Sequence, residues 1–144
     1  MTHQAPAGQP IARGPKYWTG WALSGLVIAF LLMDAAMKLL ALPIVLETSG
    51  PLGFAGTGTA RGLGALLLVC TLLYIAPQTA VLGAILLTGY LGGTVATHVR
   101  VASPLFSHVL FGVYLGVMLW GGLYLRDARL RALLPLRMNA STDG

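Results

Sequence analysis

Four long apolar stretches dominate the chain, and polar or helix-breaking residues separate them. We predict membrane spans at 18–42, 58–75, 79–97 and 104–125. Each stretch approaches the roughly 20 residues with which an α-helix crosses about 30 Å of hydrocarbon. The pattern therefore predicts an all-α protein, an integral membrane four-helix bundle.

The segments between and beyond these stretches define the expected domain organisation. Residues 1–17 are rich in Pro, Gly and Gln and predict a flexible N-terminal tail, residues 18–125 form the transmembrane domain, and residues 126–144 form a basic C-terminal tail. The first span is longer than the 7 to 15 apolar residues of a signal peptide, so we expect it to stay attached. Pro and Gly interrupt residues 43–59, where we expect a partly embedded turn. Thr79 and Ser103 are the predicted N-caps of the third and fourth spans.

Composition supports this class and excludes others. Hydrophobic residues make up 56% of the chain and charged residues 9%, whereas soluble domains are about 25% charged. The net charge of +5 does not indicate nucleic-acid binding, because the basic residues lie mostly at the chain ends. The single cysteine, Cys70, excludes an intramolecular disulfide, a CxxC redox pair and a thiolate metal cluster.

The distribution of basic residues predicts the orientation. One set flanks the tail side of the spans: Arg13, Lys16, Arg126, Arg129, Arg131 and Arg137. Arg61 and Arg100 lie on the other side. Because cytoplasmic flanks retain positive charge, we expect both termini to be cytoplasmic. Aromatic residues are expected at the same inner interface: Tyr17, Trp18, Trp21, Tyr74, Trp120 and Tyr124.

Glycines four residues apart suggest where helices pack closely. Gly89 and Gly93 share one face of the third span, and Gly112 and Gly116 share one face of the fourth. Small residues at this spacing allow helix backbones to approach each other in a membrane. We therefore predict packing faces at these two pairs. Gly64, with no partner at that spacing, is interpreted as isolated.

Ionisable residues in the spans all fall in the outer half of the predicted bundle. They are Asp34, Lys38, Arg61, His98, Arg100 and His108. A charge near mid-bilayer costs about 2.5 to 3.5 kcal/mol on insertion scales, so such residues tend to face each other. We predict that these six line an outward-facing polar pocket and bind a ligand. The sequence does not identify a catalytic residue, and we predict no metal site.

Two features of this polar set leave alternatives open. Asp34 and Lys38 are one helical turn apart, so they form either a structural ion pair or a functional site in which Asp34 accepts a proton or contacts substrate. His98 and His108 reach the same depth on antiparallel helices. Small residues beneath them leave room for a planar or elongated ligand.

Three segments resemble the bacterial DoxX-like family of small four-helix membrane proteins. They are LMDAAMKLLALP (32–43), GTARGLGALLL (58–68) and GYLGGTVATHVRVASPLFSHVLFGVYLGVMLWGGLYLRD (89–127). The resemblance covers about residues 18–137 and implies a multi-pass protein of the bacterial cytoplasmic (inner) membrane. The wider group is named after the membrane subunit of a thiosulfate:quinone oxidoreductase, which implies a redox role near the quinone pool. The family's recurring polar positions correspond to Lys38, Arg61, His98 and Arg100.

The leading hypothesis is a redox-associated membrane component that binds a quinone-like or small anionic ligand. In it, Arg61 and Lys38 hold the negative charge or carbonyl oxygen, His98 relays protons, and Asp34 balances the charge. We expect no intrinsic cofactor other than a bound quinone. The expected partners are the lipid bilayer and a redox protein, with a homo-oligomer as an option and no nucleic acid. The alternatives are a small proton-coupled permease and a non-catalytic assembly or scaffold protein.

Overall fold

The computed structural model describes residues 14–134, and all regular secondary structure in that range is helical. The helices are α1 (Pro15–Leu39), α2 (Pro43–Ser49), α3 (Thr57–Ile75), α4 (Ala80–Arg100), α5 (Phe111–Arg126) and α6 (Ala128–Leu133). A π-helical turn, Leu105–Val109, leads into α5. Four segments are long and apolar enough to span a membrane: α1, α3, α4 and the stretch Leu105–Arg126. The predicted all-α, four-span architecture is confirmed.

The four spans form an antiparallel bundle. Helices α1 and α4 each pack against both α3 and α5. Gly20, near the start of α1, contacts Leu125 at the end of α5, and Gly64, near the start of α3, contacts Lys38 at the end of α1. The bundle therefore has a tail end, where α1 starts and α5 ends, and a loop end, where residues 40–56 and 101–110 connect the spans.

Tyr74 organises the core near the tail end. Its side chain is fully buried, and its hydroxyl donates a hydrogen bond to the carbonyl oxygen of Leu119 (2.8 Å). The hydroxyl of Ser24, also fully buried, lies 3.1 Å from the hydroxyl oxygen of Tyr74. Tyr74 thus lies near the tail end of its span, as expected, but its ring faces the interior of the bundle and not the lipid headgroups. Its hydroxyl is satisfied inside the bundle, which allows the ring to be buried.

The glycines at which the helices pack closely are mostly not the predicted ones. At Gly83 an added Cβ would lie 2.3 Å from the backbone nitrogen of Tyr74, so α3 and α4 are in backbone contact there. Gly64, interpreted as isolated, also lies in a tight contact, where an added Cβ would be 2.8 Å from that of Lys38. Of the predicted packing positions, Gly112 alone is confirmed.

The remaining predicted packing glycines are in open surroundings. Within residues 14–134, an added Cβ would meet no atom within 4 Å at Gly89, Gly93 and Gly116. The prediction is wrong for these three because a spacing of four identifies a stripe along a helix. It does not identify which stripe faces a neighbouring helix.

The connections differ in detail from their predicted form. Helix α1 ends at Leu39, and the residues that follow include α2, whose first residue, Pro43, suits the start of a helix. Thr79 is the N-cap residue of α4, as predicted, although its hydroxyl donates to the carbonyl of Leu73 (2.8 Å) and makes no capping bond. Ser103 pairs with His98 (3.0 Å), and Pro104 is the N-cap residue of the fourth span. The predicted cap position is therefore confirmed for Thr79 and wrong for Ser103.

Candidate functional site

A cavity of about 800 Å³ opens between the spans at the loop end. This volume is within the range of about 300 to 1,000 Å³ that is typical of small-molecule sites. Much of its wall is apolar and comes from Phe30, Leu31, Leu63, Leu91, Phe111 and Leu115. The polar lining residues include Asp34, Lys38, Tyr90, Thr94, His98 and His108. The cavity therefore combines a large apolar surface with a polar region.

Asp34 and Lys38 form an ion pair along one wall of this cavity. They lie one turn apart on α1, and the ammonium group of Lys38 donates to both carboxylate oxygens of Asp34. The side chains are 29% and 18% exposed, respectively. Among the described residues that line the cavity, Asp34 is the one acidic residue and Lys38 the one lysine or arginine, and they form a pair. The cavity therefore offers hydrogen-bonding groups without an unbalanced charge.

Two histidines face each other at the loop end, His98 in the last turn of α4 and His108 in the π-helical turn before α5. The ring centroids of His98 and His108 lie 5.6 Å apart. Nδ1 of His98 pairs with the hydroxyl of Ser103 (3.0 Å), and Nδ1 of His108 pairs with that of Ser107 (2.7 Å). Either the hydroxyl or the ring nitrogen can be the donor in each pair. Where the hydroxyl donates, the ring proton lies on Nε2, and that nitrogen can donate to a ligand.

The π-helical turn determines where His108 lies. The amide of Val109 bonds to the carbonyl of Pro104 (3.3 Å), and that of Leu110 bonds to the carbonyl of Leu105 (2.9 Å), which widens the turn by one residue. Such turns inside α-helices occur frequently at functional sites. Here the wide turn lies at the mouth of the cavity and carries His108.

The structure places the six predicted ligand-binding residues in two groups. Asp34, Lys38, His98 and His108 line the same cavity. Arg61 is exposed at the start of α3 and lies outside the lining. Arg100 is also exposed and outside the lining, and it donates a hydrogen bond to the carbonyl of Leu52 (2.8 Å).

The comparison with known families agrees with the resemblance noted in the sequence. A family model described as DoxX-like matches residues 22–122. The chain belongs to the DoxX-like family. No curated protein and no solved structure matches it. The matched range includes all the polar cavity residues named above, and family and fold together identify this DoxX-like chain as a multi-pass membrane protein.

Sequence reasoning missed the roof of the cavity in this DoxX-like protein. The end of α2 and the loop after it contribute Thr48, Ser49, Pro51, Leu52 and Phe54 to the lining. The sequence pattern of residues 43–59 indicates a connection with a partly embedded turn, and it does not indicate a helix there. Pro43 was the available signal, because proline is favoured in the first turn of a helix.

Aromatic rings also contribute to the lining. Phe30 of α1 and Phe111 of α5 pack edge to face, with ring centroids 5.2 Å apart, and both line the cavity. No pattern in the sequence distinguishes these two rings from lipid-facing aromatics. Tyr90 lines the cavity from α4, in the same row as Thr94 and His98, and the spacing of four residues in that row is visible in the sequence.

The described residues of this DoxX-like chain show no grouping suited to a metal. Within residues 14–134, no cluster of three or more His, Cys, Asp and Glu side chains is placed to hold an ion. Cys70 is buried in the core. The lining side chains of the cavity offer hydrogen-bonding groups and apolar contact.

Proposed function

We propose that this DoxX-like protein binds a neutral quinone-like ligand in the loop-end cavity and works as a redox-associated membrane component. The observation that carries the proposal is the cavity itself, in which two histidines 5.6 Å apart lie beside an extensive apolar wall. A quinone has the matching chemistry, because its ring is planar, its carbonyl oxygens accept hydrogen bonds and its tail is apolar.

The charge balance of the cavity favours a neutral ligand over a small anion. Lys38 is already neutralised by Asp34. Arg61, which we expected to hold the negative charge or carbonyl oxygen together with Lys38, lies outside the lining, as does Arg100. Binding an anion would require it to compete with the carboxylate of Asp34 for the ammonium group. A carbonyl oxygen needs only an N–H donor, and each histidine can supply one.

The redox part of the proposal rests on the family resemblance and on the cysteine content of this chain. The family resemblance implies a role near the quinone pool. With a single buried cysteine, the chain has no cysteine pair of its own to accept electrons. In this proposal the ligand carries the electrons to or from a partner redox protein. His98 and His108 exchange the protons that accompany quinone reduction.

The packing of the tail half favours a binding site over a transport path. Below the cavity, the core is filled by side chains that include Val27, Leu67 and Leu119. Further along, Tyr74 joins three spans through its hydroxyl contacts with Ser24 and Leu119. A proton-coupled permease would need polar groups along this half, whereas the core described here is mostly apolar.

The decisive experiment fills the cavity without removing a polar group. Gly93 lines the cavity, and within residues 14–134 an added Cβ there meets no atom within 4 Å. Gly93→Leu should fold and occupy the ligand space. Gly89→Leu is the matched control, since Gly89 lies one turn earlier on the same helix, equally open but outside the lining.

The measurement is the thermal stabilisation of purified protein by a short-chain ubiquinone analogue, with sodium sulfate as the anionic probe. We expect the quinone to stabilise the natural protein and Gly89→Leu, and not Gly93→Leu. His98→Gln should weaken quinone binding by about tenfold, since a lost hydrogen bond corresponds to about 1 to 1.5 kcal/mol. Equal stabilisation of both glycine variants, or stabilisation by sulfate alone, would contradict the proposal. No stabilisation of any form would favour the scaffold alternative.

A further inference from the structure

A second cleft lies at the tail end of the bundle, at the opposite end from the loop-end cavity. Its volume is about 320 Å³. It is formed by the start of α1, the turn between α3 and α4, and the end of α5. Its lining consists of Tyr17, Trp21, Pro77, Gln78, Ala80, Leu123, Arg126, Asp127 and Arg129. The proposed quinone function makes no use of this cleft.

Arg126 is held in a fixed position in this cleft. Its guanidinium carbon lies 4.6 Å from the ring centroid of Trp21 and 4.9 Å from that of Tyr74. Its Nη2 donates to the carbonyl oxygen of Tyr74 (3.2 Å). Its Nε is buried and has no hydrogen-bond partner among residues 14–134. The cation is therefore held in place, and one of its donors has no hydrogen-bond partner among the described residues.

The charges around the cleft favour an anion. Arg126 and Arg129 outnumber the single acidic lining residue, Asp127. That carboxylate is already engaged, because it accepts a hydrogen bond from the backbone nitrogen of Arg129 (2.8 Å) and caps α6. Ala80, the first residue of α4, also lines the cleft, and the first turn of α4 contains no acidic residue. The positive end of that helix dipole adds to the attraction.

The surroundings of the cleft are those of a membrane interface. Trp18 is 63% exposed and Trp21 is 38% exposed, and the ring of Tyr17 contacts both edge to face. Trp and Tyr are enriched at the level of the lipid headgroups, where their rings contact both apolar and polar material. An anion at this depth, beside an apolar helix surface, is most simply the phosphate of a lipid.

We propose that the tail-end cleft binds the phosphate of an anionic phospholipid. Arg126 and Arg129 contact the phosphate oxygens, since guanidinium groups match phosphate geometry with paired N–H donors. The acyl chains lie along the apolar outer surface of the bundle. Basic pockets between membrane helices bind lipid headgroups in this way.

The test compares lipids and variants in purified protein. Native mass spectrometry would measure binding of phosphatidylglycerol and of phosphatidylcholine, with inorganic phosphate as a competitor. Arg129→Gln removes a cleft charge from an exposed side chain. Lys16→Gln is the matched control, because Lys16 is exposed near the start of α1 but is not among the described residues that line the cleft.

We expect phosphatidylglycerol to bind more tightly than phosphatidylcholine. Arg129→Gln should weaken the binding of phosphatidylglycerol about fivefold, because one basic residue near the membrane surface changes the affinity for an anionic lipid by about this factor. Arg126→Gln should weaken it further, with circular dichroism confirming that the variant is folded. Equal binding of the two lipids would overturn the proposal, as would equal losses in Arg129→Gln and Lys16→Gln. Displacement of the lipid by millimolar phosphate would show that the site takes a free anion.

Discussion

The hydroxyl of Tyr74 connects three of the four spans. Tyr74 belongs to α3, Ser24 to α1 and Leu119 to α5, and all three meet in the core. Lipid tails are as apolar as leucine, so close packing and interhelical hydrogen bonds stabilise a membrane bundle. We therefore expect this one oxygen to contribute measurably to stability.

Replacing Tyr74 with phenylalanine should destabilise the bundle by about 1 kcal/mol, within the range measured for interhelical hydrogen bonds in membranes. Unfolding by sodium dodecyl sulfate, followed by circular dichroism, would measure the change. Tyr114→Phe is the control, because Tyr114 is 48% exposed on α5. If both variants lose the same stability, the buried hydrogen bonds do not account for the effect.

The placement of single side chains shows where sequence reasoning was limited. The position of Tyr74 along its span, near the end of α3, could be predicted from the sequence. The side of the helix on which its ring lies could not. Direction depends on the rotation of the helix about its axis, and a span that is apolar on all sides gives little information about that rotation. The same reason explains why Arg61 was grouped with the cavity residues although its side chain is exposed outside the lining.

At the scale of helices, the contact between α3 and α4 depends on one position. An added Cβ at Gly83 would lie 2.3 Å from the nitrogen and 2.5 Å from the Cα of Tyr74. These are backbone atoms, so no side-chain rotation can relieve the clash. The two helices would have to separate.

Gly83→Ala should therefore destabilise the protein by about 1 to 3 kcal/mol, as overpacked cores do. Gly89→Ala on the same helix should be neutral or stabilising by up to about 1 kcal/mol, because alanine favours a helix over glycine. Thermal unfolding of both variants in detergent measures the contrast. A stable Gly83→Ala protein would mean that α3 and α4 pack less closely than described.

The roof of the loop-end cavity is attached to α4 through Arg100. Its guanidinium donates to the carbonyl of Leu52, next to Gly53, which has a positive φ of 88°. The loop also holds its own turn, in which the amides of Gly53 and Phe54 bond to the carbonyls of Gly50 and Ser49. Arg100 thus supports the roof from outside the lining.

Arg100→Gln should loosen this roof without unfolding the bundle. The amides of residues 52–54 should exchange with deuterium several-fold faster, while those in the middle of α4 keep their protection. Hydrogen-exchange mass spectrometry would detect the difference. Arg61→Gln, which removes an exposed charge from the same end, should leave the exchange of residues 52–54 unchanged.

For the whole molecule, the antiparallel arrangement places residues 14 and 134 at the same end. The number of spans, the order of the helices and the clustering of several polar residues at the opposite end all followed from the sequence, because each depends only on position along the chain. The cavity volume and the contribution of α2 did not follow, since they depend on how a short connection folds back over the bundle.

The predicted orientation can be tested by cysteine labelling in a Cys70→Ala background. Glu47 is exposed at the loop end and Gln78 at the tail end. In intact cells, with the outer membrane made permeable, a membrane-impermeant maleimide should label Glu47→Cys and not Gln78→Cys. Labelling of Gln78→Cys should appear once the inner membrane is permeabilised. The reverse pattern would place the termini outside the cytoplasm.

The loop-end cavity draws its lining from every span as well as from α2. During synthesis the site is therefore complete only when the last span has been inserted. A ligand that binds the finished bundle and not its precursors stabilises it in proportion to the logarithm of ligand concentration. The supply of the proposed quinone ligand would then determine how much newly made protein survives proteolysis. The abundance of the protein would therefore depend on the amount of quinone in the membrane.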